Sequence, residues 1–316
     1  MIVRFWGVRG SVATPLGVQE IKQKILGALK SASGHDISDE RAAEHYVEGL
    51  PRHLKGTYGG NTPCVEVYSD DTTIIFDAGT GIRRLGWHLM DGRFGQGAGT
   101  AHLFLSHTHW DHIQGFPFFV PAYVPGNRII VYSPHPDIKE RLSMQQVPSF
   151  FPVPLNAMHA DIEFIVLSQG ESVTIGPVDV TNIKLNHPGE SFGYRVDKQD
   201  ASFVYATDTD FTNLPESDME RYIAFFSQAK VLVFDSQYTQ MEALAKGDWG
   251  HSSSLTGVDI ARDAGVETLV LFHHEPTYDD DTLWDILQRT RKYSELNGLG
   301  PPATVIMAYE GLELVV

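Results

Sequence analysis

SHTHWDHIQG, residues 106–115, places four side chains able to bind metal within six positions: His107, His109, Asp111 and His112. It continues the apolar run HLFLSH (102–107), which has the composition of a strand, so the cluster stands where a strand ends and a helix begins. Side chains at i and i+2 of an extended segment point the same way, and His107 and His109 can therefore reach one ion together. Asp111 and His112 follow on the turn. Four groups on a single ion would crowd out the open position that a reacting water needs. Dividing them between two adjacent ions relieves the crowding, and ions roughly 3.5–4 Å apart suit phosphoester chemistry. Imidazole with carboxylate suits zinc, iron, manganese or nickel without choosing among them. A lone histidine would be read as a surface or core residue; four such groups directly after an apolar strand form a specific signal.

A two-ion site needs more ligands from later in the chain. His187 in LNHPGESFGYR, Asp208 in YATDTD and His273 in LVLFHHEP each stand just past a predicted strand, where layered α/β proteins carry their functional residues. His274 is adjacent to His273, and both are open as the ligand at this point. His35, His45, His53, His88, His102, His135 and His159 lack such a setting and are expected to be structural or exposed.

The rest of the chain supplies the frame. IVRFW (2–6), CVEVY (64–68), TTIIFDAG (72–79) and HLFLSH (102–107) read as strands of a first half. IEFIVL (162–167), VDVTNIKL (178–185), FGYRV (192–196) and SFVYA (202–206) read as strands of a second. VLVFD (231–235) and TLVLF (268–272) are continuously apolar, as strands buried on both faces are. Ser217 and Glu220 predict a capping box ahead of MERYIAFFSQAK, and a helix is expected from Asp280 to about Asn297 with Gly298 as its stop. Residues 17–56 read as a charged helical insertion without a chemical motif. The expectation is one domain over 1–316, an α/β four-layer αββα sandwich.

Composition narrows the function classes. The chain carries 24 Lys and Arg against 40 Asp and Glu, a net charge of −16, with no dense basic cluster. A long nucleic acid is therefore an unexpected partner. A small anionic substrate stays compatible, because bound dications would dominate the local field. No apolar run approaches the ~20 residues of a membrane span, and the N-terminus lacks the pattern of a signal peptide, so a cytoplasmic location without a membrane partner is expected. Cys64, the single cysteine, excludes an intramolecular disulfide and a cysteine zinc cage, and reads as a small buried apolar residue. A homo-oligomer stays open.

The ligand order resembles that of the metallo-β-lactamase superfamily across nearly the whole chain, closest to its ribonuclease Z-like and phosphodiesterase-like branch. FDAGTG (76–81), HPGESFGYR (187–195), ATDTD (206–210), GHSS (250–253) and LFHHEP (271–276) carry the likeness beside the histidine motif. The resemblance implies that His107, His109 and His187 hold one divalent ion, that Asp111, His112 and His273 hold the other, and that Asp208 bridges them. It favours His273 over His274. Zinc is the first expectation for the two ions, with manganese or iron next. The β-lactamases with a cysteine ligand place it late in the chain, and Cys64 lies upstream, which disfavours that subclass.

The implied activity is hydrolysis of a small phosphodiester such as a cyclic nucleotide by a metal-bridging hydroxide. The alternatives are a lactone or thioester hydrolase of the same fold and a non-catalytic metal-binding sensor. Asp111 could orient the nucleophile or accept its proton. His251, in GHSS, resembles the histidine that contacts the scissile phosphate, although it also reads as a residue at a helix start. Asp77 is expected to orient a metal-bound histidine or a loop backbone, and Asp235 reads equally as an orienting or a structural residue. The turn Gly59–Gly60–Asn61–Thr62 could line the pocket, although turn chemistry alone accounts for these residues. FPFFVPAYVPGN (116–127) and FFPVP (150–154) read first as core and second as a wall that stacks a base.

Overall fold

The computed structural model describes every residue except 213, 297–299, 301 and 303, and the side chain of 248. The first half opens with β1 (Ile2–Gly7), whose burial alternates residue by residue, as expected for a strand with one face on a core. It continues through β2 (Cys64–Ser69), β3 (Thr72–Phe76), β4 (Thr100–Phe104), β5 (Arg128–Ser133) and β6 (Asp161–Val166). The second half holds β7 (Ser172–Ile175), β8 (Val178–Lys184), β9 (Phe192–Lys198), β10 (Ala201–Ala206), β11 (Val231–Asp235), β12 (Thr268–Phe272) and β13 (Thr304–Met307). The final strand, β14 (Glu313–Val315), returns to pair with β1.

Among the described residues the strands form two seven-stranded sheets, in the orders β14-β1-β2-β3-β4-β5-β6 and β13-β12-β11-β10-β9-β8-β7. Each is antiparallel at one end and parallel at the other. The parallel runs are β3-β4-β5-β6 and β10-β11-β12-β13. The sheets pack face to face through Phe76, which touches Phe104 of its own sheet and Tyr194 and Tyr205 of the other at ring distances of 5.4–5.8 Å.

Helices cover both outer faces. α1 (Val18–Ser31), α2 (Glu40–Gly49) and α3 (Arg52–Lys55) lie in sequence between β1 and β2. α4 (Gly81–Met90), α5 (Trp110–Ile113) and α6 (Ile138–Gln145) pack Ile82, Leu85, Ile113 and Leu142 on the first sheet. α7 (Glu216–Phe226), α8 (Gln240–Ala245), α9 (Ser254–Ala264) and α10 (Asp280–Leu296) follow, and α7, α9 and α10 pack Phe226, Val258, Ala261 and Leu287 on the second. The four-layer αββα sandwich expected from the sequence is the observed architecture. No described helix is long and apolar enough to cross a membrane.

Three expectations change. The segment 162–167 was assigned to the second half, but β6 pairs with β5 and closes the edge of the first sheet. The Ser217–Glu220 capping box does not form: α7 starts at Glu216, its cap position is Pro215, and no side chain caps it. Proline there still suits a helix start, because the φ it fixes at −56° leads directly into the first turn. α10 is described to Leu296, so the expected end at Asn297 and stop at Gly298 lie outside the described residues.

The helices of 18–55 are tied to the body by an ion pair from Lys24 Nζ to Asp280 Oδ2 (2.6 Å), by the Arg52 guanidinium over the Tyr309 ring (3.5 Å) and by His53 against Trp284 (4.9 Å). Cys64 is fully buried in β2.

Candidate metal centre

β3, β4, β8, β10, β11 and β12 all run in one sense toward the same rim of the sandwich, and the chemistry-bearing residues follow their C-terminal ends. Asp77 follows β3, His107 follows β4, His187 follows β8, Asp208 follows β10, Asp235 ends β11 and His273 follows β12. Asp77, Asp208 and His273 take φ of 61°, 52° and 63°, a left-handed conformation that is strained for residues with a Cβ. That conformation turns the chain sharply as it leaves the sheet. The two halves are latched at this rim, where Tyr194 Oη donates to the Leu105 carbonyl (2.6 Å) and Tyr205 Oη to Asp77 Oδ2 (2.8 Å).

The structure brings together all seven residues that the resemblance named as ligands. One nitrogen each of His107, His109 and His187 and a carboxylate oxygen of Asp208 lie within 4.8 Å of one another, and so do ligand atoms of Asp111, His112 and His273. Asp208 stands between the groups. Its Oδ2 lies 3.6 Å from His107 Nε2 and 3.7 Å from His187 Nε2, while its Oδ1 lies 3.2 Å from both His112 Nε2 and His273 Nε2. His274 does not join: its Nε2 donates to the Ala308 carbonyl (2.8 Å), and burial, with Arg9 nearby, pushes its pKa down to about 3.

Partners outside the cluster set which nitrogen each ring offers. His112 Nδ1 donates to Asp77 Oδ2 (2.7 Å), His187 Nδ1 to the Gly250 carbonyl (2.8 Å) and His273 Nδ1 to Gln237 Oε1 (2.9 Å). Each bond leaves the Nε2 lone pair facing inward. Asp77 thus takes the orienting position expected for it, and it also accepts from the Ser106 amide and hydroxyl (2.7 Å each). Ser11 and Gln237 were not singled out by sequence. The Ser11 amide donates to Asp111 Oδ2 (2.7 Å), and Gln237 Nε2 donates to Ser11 Oγ (3.3 Å). Gln237 was detectable by position, two residues past β11; nothing in the sequence signalled Ser11. The glycine before it is required by contact, because a Cβ on Gly10 would stand 2.5 Å from His273 Nδ1.

The donor set fits a cation. His107 Nε2 is buried with no hydrogen-bond partner, and His112 Nε2 faces His273 Nε2 at 3.3 Å. No Lys or Arg salt-bridges Asp111 or Asp208 among the described residues. Burial opposes ionisation of these two carboxylates, but the histidines outweigh it, His112 first, and hold both well below the usual carboxylate range. Burial pushes His107, His109 and His187 down, so these rings are neutral, as ligands must be. His112 goes the other way: burial would lower it, but Asp208, Asp111 and Asp77 surround the ring and raise it. The pocket therefore demands positive charge, which divalent ions would meet.

His251 also reaches the cluster, with a ligand atom within 4.8 Å of Asp208 and His273, and its ring stacks on His273 at 5.0 Å. Its Nδ1 donates to Asp235 Oδ2 (2.7 Å). Burial pulls the imidazolium down, but the charge and hydrogen bond of Asp235 more than offset it and the pKa is pushed up to about 9. Asp235 also accepts from the Thr209 and Gln237 amides, so it both orients His251 and braces the loops. The helix-start reading of His251 holds as well, since Ser253 caps α9 two residues on. The remaining histidines stay outside; His102, for example, bonds Tyr132 Oη and His88 packs at a tilt against Trp6. Phe116, Pro117, Phe119, Pro121 and Ala122 are buried, as the core reading of 116–127 expects, whereas Phe118 is half exposed.

The sandwich and its rim of histidines and aspartates define a hydrolase fold built for divalent metal. The family model for the beta-lactamase superfamily domain matches residues 72–274, which span the histidine motif and the late histidine, and the chain belongs to that family. Ribonuclease Z of Haloarcula marismortui is 24% identical over 274 residues, covering 69% of this chain and 82% of that protein. The metallo-beta-lactamase fold protein YhfI from Bacillus subtilis superposes with a TM-score of 0.65 at 18% identity, covering 99% of this chain and 98% of that one. A diphosphatase of the PhnP family does so with a TM-score of 0.59 at 17% identity, covering 100% and 97%.

Proposed function

We propose that the chain hydrolyses small phosphodiesters with two divalent ions, zinc first among them. One ion would be held by His107, His109 and His187, the other by Asp111, His112 and His273, with Asp208 shared. The observation that carries this reading is Asp208 itself, whose two oxygens face separate histidine pairs at 3.2–3.7 Å. Ions bound there supply electrophilic activation of a phosphoryl oxygen and acidify water.

The chain's own residues do the rest. Asp111 Oδ2, aligned by the Ser11 amide, can accept the proton of the attacking water. His251, kept protonated by Asp235, has Nε2 free of hydrogen bonds among the described residues. That nitrogen can stabilise a phosphoryl oxygen and then give its proton to the departing alkoxide as the P–O bond breaks. Asp77, Gln237 and the Gly250 carbonyl hold the rings still, which keeps reorganisation small during the reaction.

The likeness to ribonuclease Z favours a second reading, RNA as the substrate. A net charge of −16 without a basic cluster weighs against a long anionic partner. The deciding experiment is metal analysis of the purified protein, followed by turnover of an activated aryl phosphodiester, a cyclic nucleotide, an RNA with a 3′ extension and a lactone. Cleavage of the small phosphodiesters is expected. No turnover of either at full metal occupancy would sink the reading, and cleavage of the RNA alone would replace it with the second.

A further inference from the structure

A cavity of about 450 Å³, lined mainly by apolar surface, is built partly from residues two or three positions along the chain from Ser11 and His112. Ala13 and Pro15, Gly59, Gly60 and Asn61, and Phe118 contribute to it. Its position follows from the chain. Ser11 touches Asp111, and Ala13 is two residues further on, at most about 7 Å along an extended backbone. Gly115, also in the lining, is three residues past His112. The two glycines of the GGNT turn are dictated by packing. A Cβ on Gly60 would stand 2.2 Å from the Thr14 carbonyl oxygen, and Gly59, at φ +113°, would meet the Glu310 side chain at 2.4 Å. The turn is thereby drawn against the loop 13–15.

The lining has a particular chemistry. Phe118 is 51% exposed, and its ring is held edge-on by Phe151 at 5.4 Å and 81°. Both oxygens of Glu310 are engaged: it accepts from the Asn61 amide (2.8 Å), from Asn61 Nδ2 (2.9 Å) and from Arg84 (2.9 Å). Because Asn61 spends Nδ2 on that carboxylate, its Oδ1 is fixed as an acceptor with no donor among the described residues. Arg83, also in the lining, stacks its guanidinium on Trp87 at 4.0 Å and brings unspent donors. An aliphatic chain would offer Asn61 Oδ1 no donor and make no use of the exposed Arg83 guanidinium. A flat ring with donors and acceptors on its edge would use the apolar walls, the exposed aromatic face and the polar groups together.

We propose that this cavity is the subsite for a nucleobase carried by the phosphodiester, with Phe118 as its stacking face and Asn61 Oδ1 as an acceptor for a ring amino group. The proposal rests on the phosphodiesterase reading for its place in the reaction, but base binding can be measured without turnover. Adenosine, which lacks the phosphate, is titrated against the metal-loaded full chain, the wild type beside Phe118→Ala, Phe118→Tyr and Ala13→Trp. Metal content and far-UV circular dichroism are matched first.

Saturable binding by the wild type is expected, weakened about tenfold by Phe118→Ala, retained by Phe118→Tyr and lost when Ala13→Trp fills the cavity. In turnover, the first and last variants should raise KM for a purine cyclic nucleotide and leave a ring-free glycerol phosphodiester unchanged. Wild-type protein that does not bind adenosine, or equal binding by wild type and Ala13→Trp, would overturn the subsite. Binding with this pattern but no phosphodiester turnover supports the subsite and overturns the reaction assigned to it.

Discussion

The two histidine groups on either side of Asp208 are built differently. The second, Asp111, His112 and His273, is closed: all three are buried. Its rings and carboxylate are braced by Asp77, by Gln237 and by the Ser11 amide, drawn from three separate segments. The first is looser. His109 is partly open to solvent, His187 is fixed by one backbone carbonyl, and His107 has only the Ser106 hydroxyl at 3.1 Å. Burial with several fixed partners preorganises a ligand set, whereas exposure leaves room for exchange and for a substrate. On the proposed two-ion phosphodiesterase reading, the second position is expected to be the tighter one and the first the weaker, facing the incoming phosphate.

The sharpest way to break this comparison is Asp208→Ala, which removes the oxygen facing each group. Both positions should lose affinity and activity should fall by more than the roughly 10–100-fold typical of an outer partner. Two ions per chain retained in elemental analysis would refute the shared role. Next come two substitutions expected to separate the groups. Gly250→Ala places a Cβ 2.5 Å from His187 Nδ1 and 2.3 Å from Pro188 Cδ at a φ of +78°, so it should displace His187 and weaken the first position selectively. Asp77 contacts His112 directly but reaches His107 only through the Ser106 hydroxyl, so Asp77→Asn should weaken the second by about 10–100-fold and the first less. Titration with a metal-sensitive dye reads both, and losses of equal size at the two positions in either variant would erase the distinction.

Gln237→Leu, which leaves His273 Nδ1 without an acceptor, should cost the second position less, toward the tenfold end of that range. The smallest effect lies away from the centre. Burial, with Arg128 nearby, pushes His102 down to about 4, below its ordinary value near 6.5. The unfolded chain then binds a proton that the folded chain refuses, so stability is full above pH 6.5 and declines as pH falls toward 4. In chelator-treated protein, His102→Gln should flatten part of that decline in denaturant titrations. His135, pushed down to about 4 by burial, should account for another part.

The ligands could be read in the sequence because they are marked by their neighbours. His107, His109, Asp111 and His112 fall within six positions where β4 gives way to α5, and His187, Asp208 and His273 each follow an apolar run. Hydrophobic runs specify strands through burial, a property local enough to read residue by residue. The ten strands named from sequence exist for the same reason. RIIVYS (128–133) is as apolar as several of them and was detectable. Glu313–Val315 was not, because three residues, two of them exposed, are too few to carry a period and form a strand only where β1 offers an open edge. Likewise β6 joined the first sheet through its pairing with β5, a choice its own residues do not encode.

By itself the sequence determined which residues are metal-binding in type, and that they stand at strand ends in a layered α/β chain, because residue chemistry and hydrophobic period are properties of neighbours along the chain. Only the tertiary structure decided that His273 and not His274 turns inward, that Ser11 and Gln237 brace the second group, and that the GGNT turn meets Phe118 around a cavity. Those outcomes depend on contacts between segments far apart in the chain, such as Arg9 with the Glu275 carbonyl 266 positions away. Such contacts arise from packing two sheets at one rim, and the local pattern at either end does not specify them.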